Sequence, residues 1–391
     1  MKGLKKIFFL GLSLLVFIGC RGKAPEANKG QGEMENPTPS IGGPSQVNIE
    51  KSSGLDKFTM TIFDSFDTVT QTTVFAETEE EGLKYSQYIE DRLAQLHKEF
   101  SSFESYQGIN NAYTINQKAG QEPVVVSKEL FDLIKNSKAY YETYSKKNDI
   151  SFGRVTEIWR SYMDLYAADL EDTKGKSLPS IEDLEAANGF TNMDNIVLDE
   201  EKLTVFIKDP QTRLDLGAVA KGYAVELIGQ ELREMGAQSV LISAGGNVKA
   251  LGGPQDGARD FWAIGIKNPE NTDTRSAESI KEILYIEDLS VVTSGDYERF
   301  FTVDGKNYHH IIDTETLFPA DYFRSITIVG QDSALADFLS TAIFSMDLDS
   351  GLALIESIEG VEAYWILKDG STVYSPGMEK YMQTMGASPS K

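Results

Sequence analysis

Leu214-Asp215-Leu216-Gly217-Ala218-Val219-Ala220-Lys221-Gly222-Tyr223 opens the stretch on which the reading of the fold turns. An apolar run ends in an acid, a glycine allows a tight turn, and a helix predicted over 219–235 begins at once and stops at Gly236. A buried strand at 239–243 then runs into Gly245-Gly246. Working outward, strands are predicted at 58–63, 69–76, 261–267, 289–293, 300–303, 326–329 and 362–367, with a hairpin at 195–207 that turns at 199–202. Helical spacing marks 79–100, where Leu83, Ile89, Leu93 and Leu96 share a face. Further helices are predicted at 127–144, with Ser127 as N-cap, at 181–188 and at 333–344. Strands outnumber helices and several pair with close neighbours, so the class is α+β, antiparallel sheets with packed helices. The chain has no regular βαβ alternation and no G-x-G-x-x-G, which argues against a Rossmann domain.

The 391 residues are 41% hydrophobic and 25% charged, an ordinary globular composition with enough apolar material for a core. Sixty acids against 37 Lys and Arg give a net charge of −23. Such a surface repels phosphate backbones, so a nucleic-acid partner is not expected. An anionic ligand needs local cations, a metal or backbone N–H groups. The N-terminus carries Lys2, Lys5 and Lys6, then an apolar run at 7–18 closed by Gly19-Cys20. This reads as a secretory signal over 1–19. The run is short for a membrane span, although a plain signal-anchor helix is the alternative. A cysteine directly after a small residue resembles a bacterial lipobox, with Phe17 an unusual occupant three places before it. Cys20 is then the lipidation site. The expected location is the extracytoplasmic face of a bacterial cell membrane, reached through the lipid anchor only. No second cysteine exists, so neither a disulfide nor a cysteine nucleophile is available to the folded part. The Gly-, Pro-, Asn-, Ser- and Glu-rich segment 20–53 is expected to be a flexible tether, and 54–385 the folded catalytic domain, ahead of a short polar tail.

Four segments concentrate the chemistry. At 214–223 a helix N-terminus and Lys221 suit a phosphate, and Asp215 either accepts hydrogen bonds from a ligand or caps the helix. At 243–247 paired glycines permit either close ligand approach or merely a tight turn. At 293–313 His309 and His310 are adjacent, near Asp296 and Asp313; strand neighbours face opposite sides, so one of the two histidines is structural. With only His97 besides, a zinc site is not supported. At 336–341 Asp337 and Thr341 are four apart on a helix and share a face. They are either hard oxygen ligands of the kind Mg²⁺ accepts, or a solvated acid beside a threonine bonded back to its own helix.

Taken in order, these segments resemble the ApbE family, the FAD:protein FMN transferases. The resemblance rests on Asp215 to Tyr223, Ala244 to Gly246, Ser294 to Tyr297, His310 to Asp313 and Ala336 to Thr341, and covers about 58–375. Upstream, Phe66-Asp67-Thr68 stands where the family often has Met-Gly-Thr, Ser101-Ser102-Phe103 replaces Ser-Thr-Tyr, and Asn148-Asp149-Ile150 replaces Phe-Asp-Val/Pro. Where the family usually reads Asp-Pro-x-Thr-Gly-x-Pro, this chain has Asp313-Thr314-Glu315-Thr316-Leu317-Phe318-Pro319, so the backbone of the 314–318 loop is expected to change.

The resemblance implies Mg²⁺ held by Asp337, Thr341 and the carbonyl of Ala218, bridging the diphosphate of FAD, which is the substrate. It implies that Lys221 assists on the phosphates. Phe66 and Phe103 would lie against the rings, Asp215 and Lys147, Asn148 and Asp149 would hold the adenosine or ribityl parts, and Ile311 would lie at the cofactor wall. His310 is the expected catalytic group, with Asp296 as alternative. The acceptor would be a Ser or Thr hydroxyl of an exported protein. A metal-dependent FAD hydrolase giving FMN and AMP, and a non-enzymatic flavin-binding lipoprotein, are the competing readings.

Overall fold

The computed structural model describes residues 45–166, 177–271, 273 and 276–391. The expected signal segment, Cys20 and the tether up to residue 44 lie outside the described residues. Among the described residues no helix is long and apolar enough to cross a membrane.

The first described element falls within the segment expected as tether. β1 (Val47–Glu50) pairs antiparallel with β2 (Asp56–Ser65), Val47 opposite Met60 and Glu50 opposite Lys57. Val47 packs on the main core. A four-residue strand in polar surroundings carries almost no periodic signal, and the exposed edge of β2 decides its conformation.

The chain continues through β3 (Thr68–Ala76), α1 (Glu79–Phe100), α2 (Ala112–Gln117), β4 (Val124–Val125), α3 (Lys128–Thr143), α4 (Gly153–Tyr166) and α5 (Ile181–Asn188). Then come β5 (Ile196–Asp199), β6 (Thr204–Ile207), α6 (Ala220–Glu234), β7 (Ser239–Ala244), β8 (Asn247–Leu251), β9 (Trp262–Lys267) and β10 (Ile280–Ile286). The last elements are β11 (Ser290–Gly295), β12 (Phe300–Val303), β13 (Lys306–His309), β14 (Ser325–Gly330), α7 (Ser333–Phe344), α8 (Leu348–Glu356), β15 (Glu362–Ile366) and β16 (Thr372–Tyr374). The α+β class expected from the sequence is the one observed.

Nine strands form one sheet in the order β1-β2-β3-β7-β8-β11-β14-β15-β16. Every neighbouring pair is antiparallel. Strand alternation sends Val240, Ile242, Ile326 and Ile328 to one face, where α1, α6 and α7 pack. It sends Leu241, Val248 and Val329 to the other, against Trp262, Ile264 and Leu284 of the β9–β10 hairpin. A third cluster joins Trp159 and Val155 of α4, Leu184 of α5, Phe301 and Val303 of β12, and Leu317.

α7 is central. Asp332 caps it by accepting from the Ala334 and Leu335 amides. Ala336, Phe338, Leu339, Ala342, Ile343 and Phe344 are all buried, so the helix is apolar almost all round. The polar residues it carries inward therefore need partners, and these partners define the site.

Candidate active site

Two tight turns mark one end of the large sheet. Ser65 pairs with Thr68 across Phe66 and Asp67, which both take left-handed backbone with φ of 56° and 52°. Ala244 pairs with Asn247 across Gly245 and Gly246, φ 51° and 95°. Thr70 lies opposite Ala244, so both turns emerge together. Gly245 is obligatory here, since a Cβ would stand 2.1 Å from the Thr68 hydroxyl. The glycine pair is thus a tight turn, and it delivers Asn247. β11 extends past it, with Thr293 N–H donating to the Gly246 carbonyl at 3.0 Å.

Above this end α6 crosses α7. A Cβ on Gly222 would lie 2.3 Å from that of Asp337 and 2.4 Å from the Ser333 carbonyl, so glycine sets the approach of the helices. Asp337 is only 5% exposed. Its Oδ2 accepts from Gly222 N–H at 2.8 Å and from Asn247 Nδ2 at 3.2 Å, while among the described residues Oδ1 has no donor. Burial pushes this carboxyl up, and the nearby Lys221 ammonium pulls it back. Burial lowers Lys221 in turn, opposed first by Asp337.

A second free oxygen lies just before α6. Gly222 sits in the first turn of that helix, which begins at Ala220, so its amide has no partner within the helix. It donates to Asp337 instead, and among the described residues no backbone amide pairs with Ala218. A third oxygen lies one turn along α7. Ser340 Oγ bonds the Asp337 carbonyl and Ser294 Oγ, whereas the half-buried Thr341 hydroxyl makes no hydrogen bond among the described residues. The reading of a solvated acid beside a back-bonded threonine therefore fails on both residues. Among the described residues no three His, Cys, Asp or Glu side chains converge as metal ligands. A carbonyl, one carboxylate oxygen and a hydroxyl nevertheless fit a hard divalent cation whose remaining positions are filled by water and ligand phosphates.

The histidines separate as strand geometry requires. His309 is buried, its Nδ1 accepting from Ile311 N–H at 3.2 Å and its Nε2 facing the Ala320 carbonyl at 2.8 Å. It is structural and neutral, held at about 4 by burial. His310 is half-buried, and its Nδ1 faces the Arg299 carbonyl at 3.3 Å. A carbonyl only accepts, so Nδ1 carries the proton and Nε2 is left bare. Burial, then the charges of Arg299, His309 and Lys221, hold this ring well below its ordinary value. A neutral imidazole with an open Nε2 can take a proton.

Asp296 stands elsewhere. Its Oδ2 is bound by Arg324 Nε at 2.7 Å, Oδ1 is buried without a partner, and the other charges around it are Lys368 and Asp321. Those around Lys221 are Asp337, Arg299, Asp67 and Asp215. Asp296 thus lies among other charges than those that surround Lys221. Burial raises this carboxyl, with the Arg324 guanidinium opposing.

Several expected ligand-holding residues hold the framework. Asn148 is buried and donates to the Phe338 carbonyl. Asp149 accepts from the Ser151 amide and hydroxyl. Lys147 pairs with Asp313 at 3.0 Å and Glu315 at 3.1 Å. Asp215 accepts from Gly217 N–H at 2.8 Å and Thr156 Oγ1 at 2.6 Å, so it braces the turn before α6 rather than capping the helix. Ile311 is buried and presents backbone to His309 and Ala320. Phe66 stands edge-on to His97. Phe103 has the Arg160 guanidinium 3.7 Å above its ring.

Leu317, at the glycine position of the family pattern, adopts φ 62°, so the chain keeps glycine-type backbone there without glycine. Sequence reasoning missed Asn247 and Arg299. The first follows the Gly-Gly turn directly. The second was findable from Asp304-Gly305, a hairpin dipeptide that sets Arg299 across from His310.

A buried carboxylate, two further unpartnered oxygens, two cations and a neutral histidine at one end of an antiparallel sheet define a phosphate-handling enzyme of the group-transfer class. The ApbE family model matches residues 66–365, and the chain belongs to that family. It is 33% identical over 262 residues to an FAD:protein FMN transferase of Klebsiella pneumoniae, covering 67% of this chain and 76% of that one. It is 31% identical over 280 residues to one of Treponema pallidum, covering 70% and 75%. Among solved structures, the ApbE protein of Thermotoga maritima superposes with a TM-score of 0.71 at 28% identity, over 83% of this chain and 99% of that chain.

Proposed function

We propose that this chain transfers the FMN half of FAD to a Ser or Thr hydroxyl of an exported protein and releases AMP, with Mg²⁺ as cofactor. The observation that carries the reading is the trio of unpartnered oxygens, Ala218 carbonyl, Asp337 Oδ1 and Thr341 hydroxyl, beside Lys221. The names of the Klebsiella and Treponema relatives agree with it. Bound there, Mg²⁺ would neutralise charge on the diphosphate as the linkage breaks.

The chain's own residues supply the rest. Lys221 sets an ammonium against the same phosphates. His310 Nε2 takes the proton of the acceptor hydroxyl while that oxygen bonds to the flavin-side phosphorus. The bond from this phosphorus to the bridging oxygen breaks, and AMP departs with the electron pair. Phe66 and Phe103 give apolar surface to the rings, with Asp215 and Ile311 along the wall. Lipidation at Cys20 would keep the domain at the extracytoplasmic face of the membrane, among exported acceptors.

The test is incubation with FAD and Mg²⁺ alongside the exported proteins of a strain lacking this gene, separating free from protein-bound FMN. The expected products are an FMN-bearing protein and an equal amount of AMP, both lost in EDTA. Free FMN alone would mean that water is the acceptor. FAD surviving intact would leave only a flavin-binding lipoprotein.

A further inference from the structure

We propose that Arg299 grips the flavin-side phosphate of the dinucleotide, making it a substrate-touching residue next to His310; the role in transfer rests on the reading above. β12 and β13 close through Asp304 and Gly305, both left-handed, φ 48° and 77°. The register runs from Val303 opposite Lys306 to Phe300 opposite His309. One step further Arg299 faces His310, whose N–H donates to the Arg299 carbonyl at 3.1 Å. Directly opposed residues of an antiparallel ribbon project to the same side, roughly 5 Å apart at Cβ. That side also carries Phe301 and Tyr308, which pack on Trp159 of α4.

The guanidinium is unengaged. Arg92, Arg259 and Arg324 all have a carboxylate within 3 Å, whereas Arg299 makes no ion pair and no side-chain hydrogen bond among the described residues. The residue stays open to solvent, although the atoms packed around the guanidinium disfavour its charge. The charges that act on it are Asp67, Arg160, Glu298 and Asp215, and Lys221 lies within its field. Two unpaired cations at one place, in a chain of net charge −23, need an anion. A planar guanidinium matches two oxygens of one phosphate. Lys221 stands with Asp337 at the metal-binding end, so the phosphate nearer His310, the one attacked, falls to Arg299.

Calorimetric titration of the full chain with FMN, AMP and riboflavin, for wild type, Arg299→Gln and Arg299→Lys, tests this. Arg299→Gln should weaken FMN binding roughly tenfold or more, as expected for losing a charge-assisted hydrogen-bonded pair. Arg299→Lys should regain part of it, and riboflavin and AMP should bind as before. Equal weakening of riboflavin would make the residue structural, weakening of AMP would put it on the wrong phosphate, and unchanged FMN binding would remove it from the site. The transferase reading fails separately: a wild type that discriminates FMN from riboflavin through Arg299 but never cleaves FAD keeps the contact and loses the reaction.

Discussion

Two regions of the candidate site, α6 against α7 on one side and the 66–67 turn with the 299–319 segment on the other, have opposite backbone economies. The helical side is regular. The Gly222 amide, one of the first-turn donors that a helix leaves unpaired, satisfies the buried Asp337 carboxylate. The other side has left-handed non-glycine residues at Asp67 and Leu317, where the family pattern has glycine. Such backbone costs about 1–2 kcal/mol per residue. Leu317 offsets this by burial and by accepting from Trp159 Nε1 at 2.8 Å. Asp67 stays exposed and faces Arg160 at 3.6 Å. Left-handed backbone thus serves a packing role in one place and an electrostatic role in the other.

The comparison breaks most severely at Asp337. Asp337→Ala should reduce FMN transfer to background at any Mg²⁺ concentration, because an oxygen ligand goes and Asn247 and the Gly222 amide lose their acceptor. A variant retaining a substantial fraction of the wild-type rate would show that the helical side is misassigned. Gly222→Ala tests the crossing itself. The helices must part to admit the methyl, and urea unfolding should show a loss of about 3 kcal/mol.

His309 probes the irregular side by pH. Folded, it titrates at about 4, against 6.5 for an unperturbed histidine, so the unfolded chain binds more protons between those values. Its contribution is complete above pH 6.5 and declines as the pH falls, by about 2 kcal/mol at pH 5. His309→Asn should flatten that slope in melts at pH 7 and pH 5. An unaltered slope would assign the effect to His97 or His310, both of which are also lowered.

The two glycine restorations sharpen the contrast at smaller scale. Leu317→Gly relieves backbone strain but forfeits a buried side chain worth roughly 2 kcal/mol, and should destabilise by about 1 kcal/mol net. Asp67→Gly forfeits no burial and should shift stability by no more than about 0.5 kcal/mol. Equal losses in the two would refute the division of roles.

Much of the fold was legible where local signals were strong. Glu79–Phe100, Ile181–Asn188 and Ser333–Phe344 were read with their observed bounds, since acids in the first turn mark the first two and an apolar run after Asp332 marks the third. α4 escaped because its apolar face turns not to the main core but to the β12–β13 hairpin. β8 escaped because Lys249, buried in it, is neutralised by Glu226 of α6 at 2.8 Å, a partner no local pattern reveals. β13 is a polar strand whose register depends on the Asp304-Gly305 turn.

For the site, the sequence by itself determined which residue types gather: Asp337 and Thr341 on one helical face, Lys221 at a helix start, two adjacent histidines of which only one can face a ligand. These follow from periods of 3.6 and 2 and need no distant contact. Only the tertiary structure decided which oxygens remain free, that Asp296 belongs to Arg324, and that Asn148 and Asp149 brace the frame. Hydrogen-bond satisfaction is a property of what folding brings close, and a side chain's availability to a ligand is what remains after every buried neighbour has been served.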